Sequence, residues 1–242
     1  MKVGIVSDVH GNFAALEAVL ALMRDRGVTR HVCCGDVVGY GPDPNKCVEA
    51  VRNLRAPCVA GNHDSGVIGR TSISSFNDAA ATAVLWTREN LGAAHRAYLE
   101  SLSLTEREGP LFIVHASPSE PDEWAYVTGL RDAEEEMAYF PDQVCVVGHS
   151  HLPFAVERLP GQPARLIRED SFELKPEGKY LVNAGSVGQP RDGDSRACAV
   201  IHNTRTGTIS FLRVEYDIAA VQQRIRAAGL PEFLADRLAR GR

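Results

Sequence analysis

Carboxylates, imidazoles and one amide recur along the chain in five short motifs: Asp8-Val-His10, Gly35-Asp36, Gly61-Asn62-His63-Asp64, His115 and Gly148-His149-Ser150-His151. These side chains are ligands for divalent ions such as Mn²⁺, Fe²⁺ or Zn²⁺, with no thiolate among them. Any one motif alone reads as a turn, because Asn, Asp and Gly accept unusual backbone angles. Together they hold five of the eight histidines, leaving His31, His95 and His202 as structural or surface residues. Seven ligand candidates, Asp8, His10, Asp36, Asn62, His115, His149 and His151, exceed the four of a closed structural zinc site, so a pair of ions is expected. Ions about 3.5–4 Å apart repel one another and need an anionic bridge. Asp36 is the expected bridge, since it stands alone in its motif and small Gly35 before it allows close approach. Such a pair activates water and offsets the charge that builds during its attack.

Each motif follows a short apolar run that reads as a strand: Val3–Val6, His31–Cys34, Pro57–Ala60, Leu111–Val114 and Val144–Val147. Between the first three runs, Leu16, Val19, Leu20 and Met23, then Cys47, Val48, Val51 and Leu54, recur at helical spacing, giving a βαβαβ order. Right-handed crossovers bring the strand ends that lead into helices to one side of a sheet. The expectation is a binuclear centre along one edge of a parallel sheet. In extended chain, residues i and i+2 point the same way about 6.5 Å apart, so Asp8 with His10, and His149 with His151, each present two ligands to one cavity. Consecutive Asn62 and His63 diverge, which frees His63 to face the substrate.

Helical patterns at residues 74–91 and 94–104 lie in an insertion spanning about 65–110, expected as a small cap or flank before the strand that delivers His115. Alternating segments at residues 154–159, 164–168, 179–182, 197–201 and 208–214 predict a second, mostly antiparallel sheet facing the first, with helices outside. Helices are expected over 217–242, with Arg237, Arg240 and Arg242 at a solvated helix end.

The 242 residues, 44% hydrophobic and without a long polar tract, predict one domain over residues 1–242. A chain of this size buries roughly 70–75% of its unfolded surface and needs no disulfide staple. The six cysteines lie mostly in apolar patterns without CxxC spacing and are expected as buried thiols. No signal-peptide pattern or membrane-length run occurs, so the expected location is the cytoplasm. A net charge of −5 argues against a duplex nucleic-acid footprint and leaves only a local positive site to attract an anion. Neither G-x-G-x-x-G nor G-x-x-x-x-G-K-[ST] is present, which removes the usual nucleotide-binding anchors.

The ordered set of five motifs resembles the signature of the calcineurin-like metallophosphoesterase family, and Asn183-Ala-Gly-Ser-Val-Gly-Gln-Pro-Arg191 resembles a later loop of its small bacterial and archaeal branch. The resemblance implies an α/β fold in which two facing mixed sheets form a sandwich flanked by helices. It implies Asp8, His10, Asp36 and His151 around one ion, and Asp36, Asn62, His115 and His149 around the other. His63 matches the catalytic histidine, and Asp64 is expected to orient it. Two divalent ions are expected, Mn²⁺ first and Fe or Zn as alternatives. The function this implies is hydrolysis of a small phosphodiester by a metal-bridging hydroxide. The alternatives are a protein or nucleotide phosphatase or dinucleoside polyphosphate hydrolase, and a non-enzymatic scaffold of the same fold. Asn12, Tyr40 and Arg191 are expected to line the mouth, Arg191 offering a guanidinium fork to phosphate; the alternative for Arg191 is a surface ion pair with Asp192 or Asp194.

Overall fold

Alternation along β1 (Lys2–Val6) sets the layers of the molecule. Val3 and Ile5 point into a core shared between two sheets, whereas Val6 points to a core shared with helices. The computed structural model describes all 242 residues. In chain order α1 (Phe13–Asp25), β2 (Arg30–Cys33), α2 (Pro44–Asn53), α3 (Asn62–Ile68), α4 (Asp78–Asn90) and α5 (Ala93–Glu100) follow β1. Next come β3 (Thr105–Glu108), β4 (Leu111–Val114), α6 (Leu130–Glu136), β5 (Val144–Val147), β6 (Phe154–Arg158), β7 (Arg165–Ile167), β8 (Ser171–Glu173) and β9 (Lys179–Asn183). The chain closes with β10 (Ala197–Asn203), β11 (Thr208–Val214), α7 (Ile218–Ala227), α8 (Glu232–Asp236) and a single 3₁₀ turn at Leu238–Arg240.

The first sheet has the order β2-β1-β10-β11-β8 and the second β3-β4-β5-β9-β6-β7. Between them lie Ile5, Val32, Ile113, Val146, Tyr180, Val182 and Val200, all fully buried. Each such side chain contributes roughly 1.5–3 kcal/mol by leaving water. Helices α1 and α2 cover the outer face of the first sheet through Leu16, Val19, Val48 and Val51, while α6 covers the second through Ala133. Asn12 caps α1, its Oδ1 accepting the Ala15 N–H. All six cysteines are free and buried. No helix is long and apolar enough to cross a membrane.

Facing mixed sheets flanked by helices match the sequence expectation, but the allocation of strands differs from it. The run Pro57–Ala60 makes only isolated bridges, Cys33 with Cys58 and Val59 with Ser103, because Gly61 starts α3 at once and cuts the strand short. The late strands do not form a sheet of their own. In the first sheet β10 pairs antiparallel with β1 and β11 antiparallel with β10, and β6, β7 and β9 join β5 in the second. Alternation reports which face of a strand is buried, not which sheet receives it. The short elements β3, β8 and α6 carried no clear periodicity. The insertion contributes α3, α4 and α5, which flank the first sheet, and its residues Thr71–Ala80 rise beside the ligand candidates.

Candidate metal centre

The seven ligand candidates converge where strands of both sheets end, not along the edge of one. Asp8 and His10 follow β1, Asp36 follows β2, His115 follows β4, and His149 and His151 follow β5. Asn62 opens α3, one turn of which points its side chain away from that of His63. Asn62 Oδ1 lies 3.2 Å from His115 Nε2, whereas the His63 ring packs against Tyr40, His10 and Phe76.

Convergence is achieved by tight turns, not by extended chain. Asp8, His10, Asp36, His149 and His151 all have φ between 49° and 63°. Tyr40 and Trp124 share this left-handed conformation, and of the eight non-glycine residues that adopt it only Arg55 lies away from the site. Each costs of order 1–3 kcal/mol and persists only because neighbours hold it. The two His-x-His ligands therefore separate: His151 joins Asp8 and His10, and His149 joins Asp36 and His115.

Each carboxylate is anchored by one oxygen and offers the other. Asp8 Oδ2 accepts from Ser7 Oγ at 2.6 Å and from the His149 N–H at 3.0 Å, leaving Oδ1 buried with no hydrogen-bond partner. Asp36 Oδ1 accepts the His63 N–H at 2.8 Å, and its Oδ2 stands 3.5 Å from His10 Nε2 and 3.4 Å from His115 Nε2. The atom shared by the two clusters is thus one oxygen of Asp36. Two glycines permit this approach: a Cβ on Gly61 would lie 2.0 Å from Asp36 Oδ1, and one on Gly148 would lie 2.3 Å from Asp8 Oδ2.

The imidazoles are locked from behind. Nδ1 of His10, His115 and His151 faces the carbonyl of Val38, Cys34 and Gln189 at 3.1, 2.7 and 2.5 Å. A carbonyl can only accept, so each Nδ1 donates and a neutral ring turns its Nε2 lone pair inward. His10 Nε2 and His151 Nε2 lie 3.0 Å apart, with Asp8 Oδ1 3.2 Å from the latter. Three acceptors facing one another in a dry interior call for a cation between them.

The electrostatics divide the rings, His115 being held charged beside Asp36 while others are neutral. Burial disfavours a charged His115, but the Asp36 carboxylate outweighs it and raises the ring to about 10. Against the same burial, His115 and His63 hold Asp36 well below the usual carboxylate range, and His151 and His10 do so for Asp8. Burial lowers His149 to about 4 and His151 to about 3, and takes His63 well below its ordinary value, so these rings are neutral. The donor set could hold two divalent cations, one among Asp8, His10 and His151 and the other among Asn62, His115 and His149, with Asp36 between them.

The remaining expectations divide. Tyr40 and Arg191 sit together at the rim, with the Arg191 guanidinium 5.9 Å from the Tyr40 ring and bonded to Gln189 Oε1 at 3.1 Å. Arg191 is not engaged by Asp192 or Asp194, which pair with Arg213 and Arg196, and its Nε has no partner. Asn12 is buried and engaged as a cap and as a donor to the Gly188 carbonyl at 2.9 Å, so it holds the loop beneath the site and does not line the mouth. Asp64 makes no bond to the His63 ring. Its oxygens accept the N–H groups of Val38 and Gly61 at 3.1 Å, which fixes the start of α3 and thereby the backbone of His63.

Several residues at the site had no sequence signal. Arg237, expected on a solvated helix end, is half-buried near Arg191 and Tyr40; burial and then Arg191 lower its guanidinium to about 10. Trp124 and Tyr126 come from the loop after His115, where Pro and Ser mark irregular chain and no period assigns a face. With Phe76, His63, Asn62 and His149 they line a cleft of about 310 Å³ over the ligand cluster. A larger groove of about 820 Å³ between β11 and the loop from β7 to β8 contains none of the clustered ligands. Two of its four arginines, Arg196 and Arg213, are paired with aspartates, and none of the ligand candidates reaches it, so size does not mark the chemistry here.

Residues 1–207 match the family model described as the calcineurin-like phosphoesterase superfamily domain. An uncharacterized protein of Methanocaldococcus jannaschii is 39% identical over 244 aligned residues, covering 99% of this chain and 98% of its own. The crystal structure of a metallophosphoesterase from Sphaerobacter thermophilus superposes with a TM-score of 0.87 at 43% identity, over 100% of this chain and 99% of that one. A hypothetical protein from Pyrococcus horikoshii shares the fold at a TM-score of 0.80 and 22% identity, over 100% and 98% of the two chains.

Proposed function

The chain belongs to the calcineurin-like phosphoesterase superfamily, and from that premise we propose that it is a two-metal phosphoesterase acting on small phosphodiesters. The observation that carries this reading is the inward convergence of ligand atoms, His10 Nε2, His151 Nε2 and Asp8 Oδ1, joined to a second set through one oxygen of Asp36. Two divalent ions, when bound, supply Lewis acidity toward phosphoryl oxygens and lower the pKa of water toward about 7. The expected ion is Mn²⁺, with Fe or Zn as alternatives suited to the same ligands.

The protein's own groups would do the rest. His63, a buried neutral ring beside Asp36 and Tyr40, is positioned to exchange a proton with the leaving oxygen or to contact the phosphoryl group. Arg191 can donate to a phosphate oxygen, and the walls of the cleft orient the ester and limit water. Six free, buried thiols fit a cytoplasmic location. A monoesterase is the second reading, favoured by Arg191, whose Nε has no partner and whose guanidinium suits a dianionic phosphate.

The test is hydrolysis of a chromogenic diester beside its monoester, by chelator-stripped protein reloaded separately with Mn²⁺, Zn²⁺ and Fe²⁺. Metal-dependent diester turnover is expected. A preference for the monoester favours the second reading, and no turnover of either by protein containing two ions leaves a scaffold as the better account.

A further inference from the structure

The cleft above the ligand cluster is walled by aromatic side chains from two unrelated segments. Phe76 comes from the segment before α4, while Trp124 and Tyr126 come from the loop after β4. The two segments are joined across the opening by a hydrogen bond from Trp124 Nε1 to Thr71 Oγ1 at 3.3 Å. Trp124 holds φ 57°, a strained conformation for a bulky residue, and so is fixed in place by its surroundings. Tyr126 is 56% exposed and yet stacks on His149, with ring centroids 4.0 Å apart and planes at 17°. The stack on His149 thus holds a flat aromatic ring, more than half exposed, at the mouth of the cleft.

Resting on the phosphoesterase reading above, we infer that this cleft is a subsite for a nucleobase, and that the substrate is a nucleoside phosphate ester. A base lying against Trp124, Tyr126 and Phe76 gains stacking on its faces. Polar groups of Ser75, Asn77 and Glu123 line the same cleft and can meet the hydrogen-bonding edge of a base. A plain phenyl group would leave those groups unused, which favours a nucleobase over an aryl ester or a phosphotyrosine side chain. The volume of about 310 Å³ is at the small end for ligand pockets and matches one nucleoside, not two.

Because Trp86 and Trp124 are the two tryptophans, Trp86→Phe protein reports on the cleft through Trp124 alone. Zinc-loaded Trp86→Phe protein is titrated with adenosine monophosphate and, in competition, with ribose phosphate. The nucleotide should change Trp124 emission saturably and bind about 10-fold more tightly, and Tyr126→Ala in that background should narrow the gap. Equal affinities, or nucleotide binding without a Trp124 response, would overturn the subsite. Turnover is then compared for a thymidyl p-nitrophenyl diester and the methyl p-nitrophenyl diester. A kcat/KM preference of about 10-fold for the thymidyl ester supports the subsite, and equal turnover overturns it while leaving the phosphoesterase reading intact. A nucleotide affinity gap without turnover of either diester supports the subsite and overturns the diesterase reading, leaving the monoesterase to be tested with the nucleoside monophosphate.

Discussion

Two clusters of buried charge teach opposite lessons. Glu157, 2% exposed on β6, accepts Tyr180 Oη at 2.8 Å with one oxygen and Arg165 at 2.7 Å with the other, while Lys175 lies 3.5 Å away. Every demand of that carboxylate is met by the chain itself. In the Asp8, His10 and His151 cluster, three acceptors face one another and Asp8 Oδ1 has no donor at all. Both carboxylates are buried, but only the second leaves its charge open to something the chain does not contain. Completeness of hydrogen bonding, not burial, separates the structural cluster from the chemical one.

The contrast can be broken by substitution. Asp36→Asn removes the shared anion, so metal content measured by elemental analysis should fall from two ions to less than one, and turnover by more than about 10⁴-fold. Full two-ion occupancy in that variant would remove Asp36 from the bridging position. His63→Ala should keep both ions and lose about 10²–10⁴ in kcat, because its ring contacts the cluster without being required to hold it; unchanged turnover at equal metal content refutes the role given to it. Gly61→Ala, which drives a methyl against Asp36 Oδ1, should weaken metal binding by about 10–100-fold in a chelator competition. Affinity equal to that of the parent would mean that Asp36 has room to move.

Glu157→Gln is the counterpart in the satisfied cluster. It should leave turnover unchanged and cost about 1–2 kcal/mol in denaturant unfolding, a value reduced because Arg165 and Lys175 are half exposed. Burial opposes ionisation of Glu157, but Tyr180 and Arg165 outweigh it and lower its pKa. The folded value therefore lies below the unfolded one of about 4.3, so the stabilisation is present above that pH and disappears as pH falls through the folded value. Parent and variant should converge in stability in acid, and a gap that stays constant from about pH 7 to about pH 3 would contradict the assignment.

The floor of the site was legible in sequence for a physical reason. Ligand types are few, and strand ends that close into one cleft place them after apolar runs, so Asp8, Asp36, His115 and His149 announce themselves. Their separation into two clusters was implied by the family resemblance and not by spacing, because i and i+2 share a side only in extended chain and His149 and His151 sit in left-handed turns. Asp64 looked like a partner for His63 by adjacency, but residues adjacent on a helix diverge, and it caps α3 instead. Trp124 and Tyr126 were hidden because loop residues have no period. Arg237 was hidden because its inward turn depends on how α7 and α8 pack behind Tyr40, a contact remote in sequence.

The pairing of β1 with β10 has a consequence for synthesis. A ribosome has delivered all seven ligand candidates by residue 151, but the edge of β1 is completed only when residues 197–203 arrive, and the backbone of Asp8 is tied by Gly188. The nascent chain thus carries the donors before it carries the frame that aims them. Any ion these donors would take must then wait for the sandwich to close, and a truncated product would hold the ligand candidates without their geometry.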